Sequence, residues 1–227
     1  ILLNKDISKR NAAEEAVKYV KNGMIVGLGT GSTAKIAVDI IGSKLNDDFK
    51  IIGMPTSKKT KKQAENLGIK LIDIDDAEQI DIAIDGADEV SPDLSLIKGL
   101  GGALLREKKV ERKAKELIII VDEGKIVQKL GRGELPIEVS AENHENIASE
   151  IKKLGCEANL RIEENGNIFI TDNENYIYHC KFPEGIENPA ETDKKLLDIA
   201  GVKDTGLFLN MATKIIIGKE NGVEIME

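Results

Sequence analysis

The sequence predicts an α/β protein, in which a mostly parallel Rossmann-like sheet domain carries an inserted ferredoxin-like α+β domain. In the first part of the chain, short apolar runs alternate with segments of helical spacing, which is typical of βαβ units. After Gly131 the predicted order becomes β-α-β-β-α-β, the order of a split βαβ fold. We therefore expect an α/β domain over 1–131 plus 205–227 and a ferredoxin-like domain over 132–204.

Apolar periodicity and helix stop signals predict the elements of the first part. The first helix is predicted over 11–22, because apolar residues recur at helical spacing and Gly23 follows. Further helices are predicted over 34–45, 58–68 and 104–115. Apolar runs bounded by turn residues predict strands over 24–28, 49–55, 70–74 and 117–121, and a strand that runs into a loop over 80–90.

After Gly131, the predicted strands and helices no longer alternate regularly. The Asn165-Gly166 pair lies between two apolar runs, so 157–172 is predicted to form two strands joined by a hairpin turn. The tail over 212–227 offers a short strand pair that can return to the first sheet. The remaining predictions are strands over 135–140 and 201–209 and helices over 142–155 and 188–201.

Composition limits the classes of partner. The formal net charge of -8 argues against binding to nucleic acid or to an anionic membrane surface, because both need a basic face. A small anionic substrate remains compatible, since a few lysines and backbone amides can hold a phosphate. Cys156 and Cys180 lie outside any CxxC pattern, which favours a reducing compartment. The early charges and the lack of a long apolar run predict a cytoplasmic protein.

Four segments are candidates for chemistry, and the first is a glycine-rich turn over 27–33. It joins a predicted strand to a helix, so its backbone can approach a ligand and the helix start can offer amides to an anion. The hydroxyl groups at this turn belong to Thr30, Ser32 and Thr33, which flank Gly31. The segment is neither a dinucleotide fingerprint nor a Walker loop. A capped helix start of any α/β protein is the alternative interpretation.

The second segment is acidic and follows a predicted buried strand. It contains Asp85, Gly86, Ala87 and Asp88, at the carboxyl end of the strand, where ligands bind in open α/β sheets. Mutual repulsion of these acids does not favour the fold, so we interpret Asp85 and Asp88 as functional. For Glu89, we prefer the interpretation that it caps a helix.

The third segment is the glycine-rich stretch Lys98, Gly99, Leu100 and Gly101, followed by Gly102. Closely spaced glycines are difficult to order, so the backbone is expected to do something that a side chain would block. A lysine beside free amides is a plausible oxyanion site. From the sequence pattern alone, we interpret Glu107 in the following helix as a solvent-exposed glutamate.

The fourth segment contains Lys125, just past the strand predicted over 117–121. It would face the same crevice if the sheet is parallel, although an isolated loop lysine is usually only solvated. The two histidines, His144 and His179, lie outside the four segments, and no cluster has the spacing of metal ligands. Acid–base chemistry at this crevice would therefore fall to carboxylates and lysines, with no metal and no cofactor.

Taken together, GLGTGST, DGADEV, KGLGGALLREK and VDEGK closely resemble the type A ribose-5-phosphate isomerases, over essentially the whole chain. The resemblance implies the same two-domain fold and an isomerase that interconverts D-ribose 5-phosphate and D-ribulose 5-phosphate. It also implies self-association as a homodimer or homotetramer. One position departs from the family, because Leu100 replaces a usual glycine; we expect the loop to tolerate it.

The resemblance also implies residue roles. Glu107 matches the general base, which we expect to work best with a pKa raised by partial burial. The substrate-binding segments match Thr30–Thr33, Asp85–Asp88, Lys98–Gly101 and Lys125, with Lys9 a further candidate for the phosphate. Two alternatives stay open at this point: a metal-dependent hydride-shift isomerase, which lacks a visible ligand cluster, and a sugar-phosphate sensor without enzymatic activity.

Overall fold

The computed structural model describes residues 2–227, with their side chains from residue 5 onward. The chain forms two compact units. The first contains the described residues up to Ala87 together with Arg106–Ile126 and Asn210–Glu227, and the second contains Asp88–Leu105 and Val127–Leu209. The domain boundaries predicted from the sequence, 1–131 plus 205–227 and 132–204, remain a prediction.

The described residues form six α-helices and fourteen strands. The helices are, in chain order, α1 (Leu2–Val17), α2 (Ser32–Lys44), α3 (Lys58–Asn66), α4 (Leu104–Glu111), α5 (His144–Lys152) and α6 (Pro189–Leu197). The strands are β1 (Ile25–Leu28), β2 (Ile52–Pro55), β3 (Lys70–Leu71), β4 (Ile80–Asp85), β5 (Glu89–Val90), β6 (Leu96–Ile97), β7 (Ala114–Asp122), β8 (Leu135–Val139), β9 (Glu157–Leu160), β10 (Tyr176–Lys181), β11 (Val202–Thr205), β12 (Leu207–Phe208), β13 (Lys214–Lys219) and β14 (Gly222–Met226). None of these helices is both long enough and apolar enough to cross a bilayer.

Seven strands make the central sheet of the first unit, in the order β14-β13-β7-β4-β1-β2-β3. Every neighbouring pair is parallel except β13 and β14, which are antiparallel. Leu117–Val121 at the centre of β7 is almost completely buried, and burying each such side chain stabilises the fold by roughly 1.5–3 kcal/mol. The prediction of a mostly parallel sheet is confirmed, as is the return of the tail to it.

Two helix boundaries predicted in the first part were wrong. Helix α1 spans Leu2–Val17 rather than 11–22, because no breaker precedes Asn11 and the chain turns after Val17 before it enters β1. Helix α4 ends at Glu111 rather than at 115. There, Ala114 pairs with Ile80 of β4, so pairing with the sheet overrides the local helical pattern.

The second unit holds a four-stranded antiparallel sheet in the order β11-β8-β10-β9. With α5 and α6 it follows the predicted β-α-β-β-α-β order, so the ferredoxin-like part of the fold class is confirmed. A second, three-stranded antiparallel sheet of this unit has the order β12-β6-β5. Cys156 and Cys180 are buried free thiols here.

The predicted hairpin over 157–172 was wrong in its second strand. The partner of β9 is β10, and Ile162 and Ile168 make only an isolated bridge around the Asn-Gly turn. Ile177 and Cys180 of β10 are fully buried, whereas Ile170 is 58% exposed. Burial therefore selects the later segment as the strand. Residues 161–175, which we call the arm, form an excursion between the two strands.

A buried carboxylate anchors the arm to β8. Glu138 is fully buried and accepts hydrogen bonds from Thr171 Oγ1 and Asn175 Nδ2, both at 2.9 Å, and from Asn173 Nδ2 at 3.5 Å. Burial raises the pKa of Glu138 above its ordinary value, and the hydrogen bonds from the arm oppose that rise. Attachment of the arm is thus linked to the ionisation of one carboxyl group.

The raised pKa predicts how folding stability depends on pH. Between the ordinary and the raised pKa of Glu138, the native state binds more protons than the unfolded state. The contribution of Glu138 to the free energy of unfolding is therefore fully present below the ordinary carboxyl pKa. This contribution is lost as pH rises through the raised pKa of Glu138. We expect Glu138→Gln to remove this term, which has a slope of at most about 1.4 kcal/mol per pH unit. Chemical denaturation of both proteins at several pH values measures it.

Glu142→Gln is the matched control, because Glu142 is an exposed carboxylate of the same unit. Its stability should follow the wild-type pH profile. Identical profiles for wild type and Glu138→Gln would contradict the linkage.

Candidate active site

The sheet brings three of the candidate segments of the first unit to one edge. Strands β1, β4 and β7 are adjacent and parallel, so their carboxyl ends lie side by side. Segments 29–33 and 123–125 directly follow β1 and β7, and segment 85–87 begins at Asp85, the last residue of β4. This is the edge at which open α/β sheets bind ligands.

The Asp85 carboxylate ties the first two segments together. Asp85 is buried, and its Oδ1 accepts hydrogen bonds from the amides of Thr30 at 2.9 Å and Gly86 at 2.7 Å. A Cβ atom at Gly29 would lie 2.3 Å from this oxygen, so only glycine allows the approach. One role of Asp85 is therefore to fix the turn between β1 and α2.

The Thr30 hydroxyl is held by three other hydroxyl groups. Thr30 Oγ1 lies 2.7 Å from Thr56 Oγ1, 2.9 Å from Ser57 Oγ and 3.1 Å from Thr60 Oγ1. Ser57 also caps α3 by accepting from the Thr60 amide. Sequence reasoning missed these partners, although the N-cap serine before α3 was a signal that could have located them. Thr30 is thereby pinned at the turn by both its amide and its hydroxyl.

The start of α2 offers amides to an anion. Gly31 precedes the helix with a φ of 120°, a conformation that favours glycine. Ser32 is exposed and Thr33 is buried in the first turn, where backbone N–H groups have no carbonyl acceptor within the helix. Together with the partial positive charge of the helix terminus, this arrangement suits a phosphate.

Glu107 lies in the first turn of α4 and is only 3% exposed. The neighbouring Arg106 Nε is 3.5 Å from the carbonyl oxygen of Pro55, the last residue of β2, so this turn lies at the carboxyl edge of the sheet. Burial separates Glu107 from the solvated helix glutamates that the residues alone suggested. A buried carboxylate in this position suits proton transfer better than surface ion pairing.

Lys125 ends a short 3-10 turn that follows β7. The Asp122 carboxylate caps this turn by accepting from the Gly124 amide at 2.9 Å. Lys125 is half-buried. Its place after β7 agrees with the expectation that it lies at the carboxyl edge.

In the second unit, the loop over 98–102 is organised by backbone contacts. The amide of Leu100 donates to Asp88 Oδ2 at 3.0 Å, and the amide of Gly102 donates to the Gly99 carbonyl at 2.9 Å. The structure thus brings Asp88 to the glycine-rich stretch. Among the described residues, none accepts a hydrogen bond from the exposed Gly101 amide.

The departure at Leu100 causes no backbone strain. The positive φ angles of this loop fall on Gly99 at 102° and Gly102 at 91°, while Leu100 is not among the residues with positive φ. The expectation that the loop tolerates leucine here is confirmed.

Lys98 is 2% exposed, and its Nζ lies 5.3 Å from the centre of the Phe208 ring. Its amide donates to the Gly206 carbonyl at 2.9 Å. The backbone of Lys98 is therefore held by a hydrogen bond, and its side-chain amine lies within cation–π distance of an aromatic ring.

Glu89 departs from the expected role of a helix cap. It is 4% exposed and belongs to β5, and its carboxylate accepts from the amides of Gly131 at 2.7 Å and Arg132 at 3.3 Å, and also from that of Gly133. Glu89 therefore holds the loop over 131–133 rather than a helix terminus. The sequence carried no local signal for this partner, which lies about forty residues further along the chain.

Comparison with known proteins supports one family. A family model described as ribose 5-phosphate isomerase A (phosphoriboisomerase A) matches residues 52–222. The chain is 47% identical over 216 residues to ribose-5-phosphate isomerase A of Bacillus mycoides, with 95% of this chain and 97% of that protein covered. It is 46% identical over 234 residues to a probable chloroplastic ribose-5-phosphate isomerase 3 of Arabidopsis thaliana, with 100% and 85% covered.

Comparison with solved structures supports the same family. Ribose 5-phosphate isomerase A from Methanocaldococcus jannaschii superimposes with a TM-score of 0.92 at 37% identity, and 98% of each chain is covered. A D-ribose-5-phosphate isomerase in complex with phospho-erythronic acid gives a TM-score of 0.93 at 38% identity, with 99% of each chain covered. The resemblance found in the motifs therefore extends over the whole fold, and the chain belongs to the ribose 5-phosphate isomerase A family.

Proposed function

We propose that this protein interconverts D-ribose 5-phosphate and D-ribulose 5-phosphate, as an aldose–ketose isomerase of the non-oxidative pentose phosphate pathway. The observation that carries the proposal is the buried Glu107 carboxylate in the first turn of α4, at the carboxyl edge of the parallel sheet. Family membership supports the substrate, since the relatives that cover nearly the whole chain are ribose-5-phosphate isomerases.

In the proposed mechanism, Glu107 is the general base. Its carboxylate removes the proton from C2 of the open-chain aldose, and the electron pair moves to form an enediolate with negative charge on O1. The resulting carboxylic acid returns the proton to C1. Transfer of the 2-hydroxyl proton to O1 leaves the ketone at C2, so no atom or electron is gained or lost. Neither a metal ion nor an organic cofactor is required.

The charge that develops on the substrate oxygen needs a fixed donor. We assign this role to the Lys98 ammonium and the Gly101 amide, because Lys98 is buried and Gly101 has no acceptor among the residues described. Donors that are held in place before the reaction stabilise developing charge without reorganisation.

The rest of the proposed site binds the sugar phosphate. We propose that Asp85 and Asp88 hold sugar hydroxyls, with Gly86 and Ala87 lining the same turn. Gly31, the first-turn residues Ser32 and Thr33 of α2, and the Lys125 ammonium would meet the phosphate or nearby oxygens. Thr30, Gly99 and Leu100 complete the set by shaping the two loops. Lys9 remains a further candidate for the phosphate.

We further propose that the protein acts in the cytoplasm and assembles as a homodimer or homotetramer. The acidic net charge supports a small-molecule substrate rather than nucleic acid or membrane. Two buried free thiols suit a reducing compartment.

A direct assay distinguishes the isomerase from its alternatives. The purified protein should form ribulose 5-phosphate from ribose 5-phosphate, because the site provides a base and donors for the enediolate. Turnover should be unchanged after treatment with EDTA, since no proposed step uses a metal. Binding of ribose 5-phosphate without turnover would instead indicate a sensor, and loss of activity in EDTA that added metal restores would indicate the metal-dependent hydride shift.

Glu107 is tested by removing only its basicity. Glu107→Gln keeps the side-chain volume but cannot accept the proton, so we expect it to fold normally and to lose about 10²-fold or more in kcat. Steady-state kinetics and thermal unfolding of the variant measure both expectations.

The matched control is Glu116→Gln, which makes the same change at an exposed position of β7. It should keep wild-type kcat. Near-normal turnover in Glu107→Gln would reject Glu107 as the base, whereas a loss in both variants would point to a general effect of charge.

A further inference from the structure

The arm over 161–175 contacts the glycine-rich loop of the second unit through Arg161. Arg161 Nη1 donates a hydrogen bond to the Leu100 carbonyl at 2.9 Å. The guanidinium group also stacks on Phe169, with Cζ 3.8 Å from the ring centre. A planar cation held by an aromatic face has few alternative orientations, so this hydrogen bond is geometrically well defined.

The contact between the arm and the loop leaves no space for a side chain at Gly102. A Cβ atom at Gly102 would lie 2.5 Å from Phe169 Cζ and 2.9 Å from Arg161 Nη1. Gly102 also has a φ of 91°, so both the close approach and the backbone conformation require glycine at this position. The arm therefore packs directly on the backbone of the loop.

The Leu100 carbonyl and the Gly101 amide belong to the same planar peptide unit. Any group that fixes the direction of the carbonyl also fixes the direction of the N–H bond on the opposite side. The preceding peptide unit is already held, because Leu100 N donates to Asp88 and Gly99 O accepts from Gly102. Arg161 supplies the corresponding restraint for the Leu100–Gly101 unit.

The arm itself is held at both ends. Near its start, the Arg161 amide donates to Ile177 O of β10 at 2.9 Å and the Phe169 amide donates to Arg161 O at 3.0 Å. Near its end, Thr171 and Asn175 bond to the buried Glu138 carboxylate. Arg161 therefore belongs to a segment whose two ends are both held by hydrogen bonds.

We propose that Arg161 is a positioning residue for the reaction: by holding the Leu100 carbonyl, it aims the Gly101 amide at the oxygen on which negative charge develops. This inference rests on the proposed isomerase function, in which Gly101 is one of the donors. Arg161 acts through the peptide unit and does not need to touch the substrate. Phe169 supports it by fixing the plane of the guanidinium group.

Arg161→Ala tests the proposal by removing the restraint. We expect kcat to fall about tenfold to 100-fold, as is usual when a catalytic donor is misplaced, while KM stays within about twofold. The amides of 98–102 should exchange with solvent faster in the variant, as measured by hydrogen exchange and mass spectrometry. Added guanidinium ion at a non-denaturing concentration should restore part of the lost kcat, because it can fill the space beside Phe169.

Glu164→Gln is the control, since Glu164 is an exposed residue of the same arm. It should leave kcat and loop exchange unchanged, and sodium or ammonium ions should not replace guanidinium in Arg161→Ala. Wild-type kcat in Arg161→Ala, or unchanged exchange of the 98–102 amides, would overturn the proposal. If the wild-type protein formed no ribulose 5-phosphate, the proposed function would fail by itself, and the exchange measurement would still decide whether Arg161 restrains the loop.

Discussion

The geometry of the first unit depends on the contact between the Asp85 carboxylate and the backbone at Gly29 and Thr30. The carboxylate can reach the Thr30 amide only because residue 29 has no side chain. This contact joins the turns that follow β1 and β4, and the hydroxyl cluster around Thr30 extends the restraint to α3. The start of α2 is thereby held at the carboxyl edge of the sheet, and the first-turn amides of a helix suit an anion.

Carboxylates have a similar structural role in the second unit. Asp88 holds the Leu100 amide, Glu89 holds the loop over 131–133, and Glu138 holds the arm. Each of these acids binds backbone or side-chain donors, so an acidic protein can present organised amide groups to an anionic substrate. This explains how a chain with a formal net charge of -8 is compatible with binding a sugar phosphate. A few lysines and oriented peptide groups are sufficient where the backbone is fixed.

Apolar periodicity and turn residues in the sequence predicted the structural features that short segments of the chain determine. The strand–turn–helix over 24–45 followed from periodicity and glycine placement, because neighbouring residues determine it. The parallel sheet followed from the alternation of strands with helices, since parallel strands need a crossover connection. The hairpin over 157–172 was misplaced because Asn165-Gly166 is a strong turn signal, whereas long-range burial decides that β10 is the strand. Periodicity could not reveal that Glu107 is buried, since most helix glutamates are solvated. The partners of Thr30, Glu89 and Arg161 come from distant segments and had no local signal.

The central claim is that a carboxylate moves a proton between adjacent carbons, and isomerisation in D₂O tests it most directly. A base that takes the proton from C2 can exchange it with solvent before returning it to C1. We therefore predict that carbon-bound deuterium accumulates in ribose 5-phosphate and ribulose 5-phosphate as the wild-type protein equilibrates them, which proton NMR detects as loss of the C2 and C1 proton signals. A mixture that reaches equilibrium with no carbon-bound deuterium would contradict the claim, because a hydride shift keeps the original hydrogen.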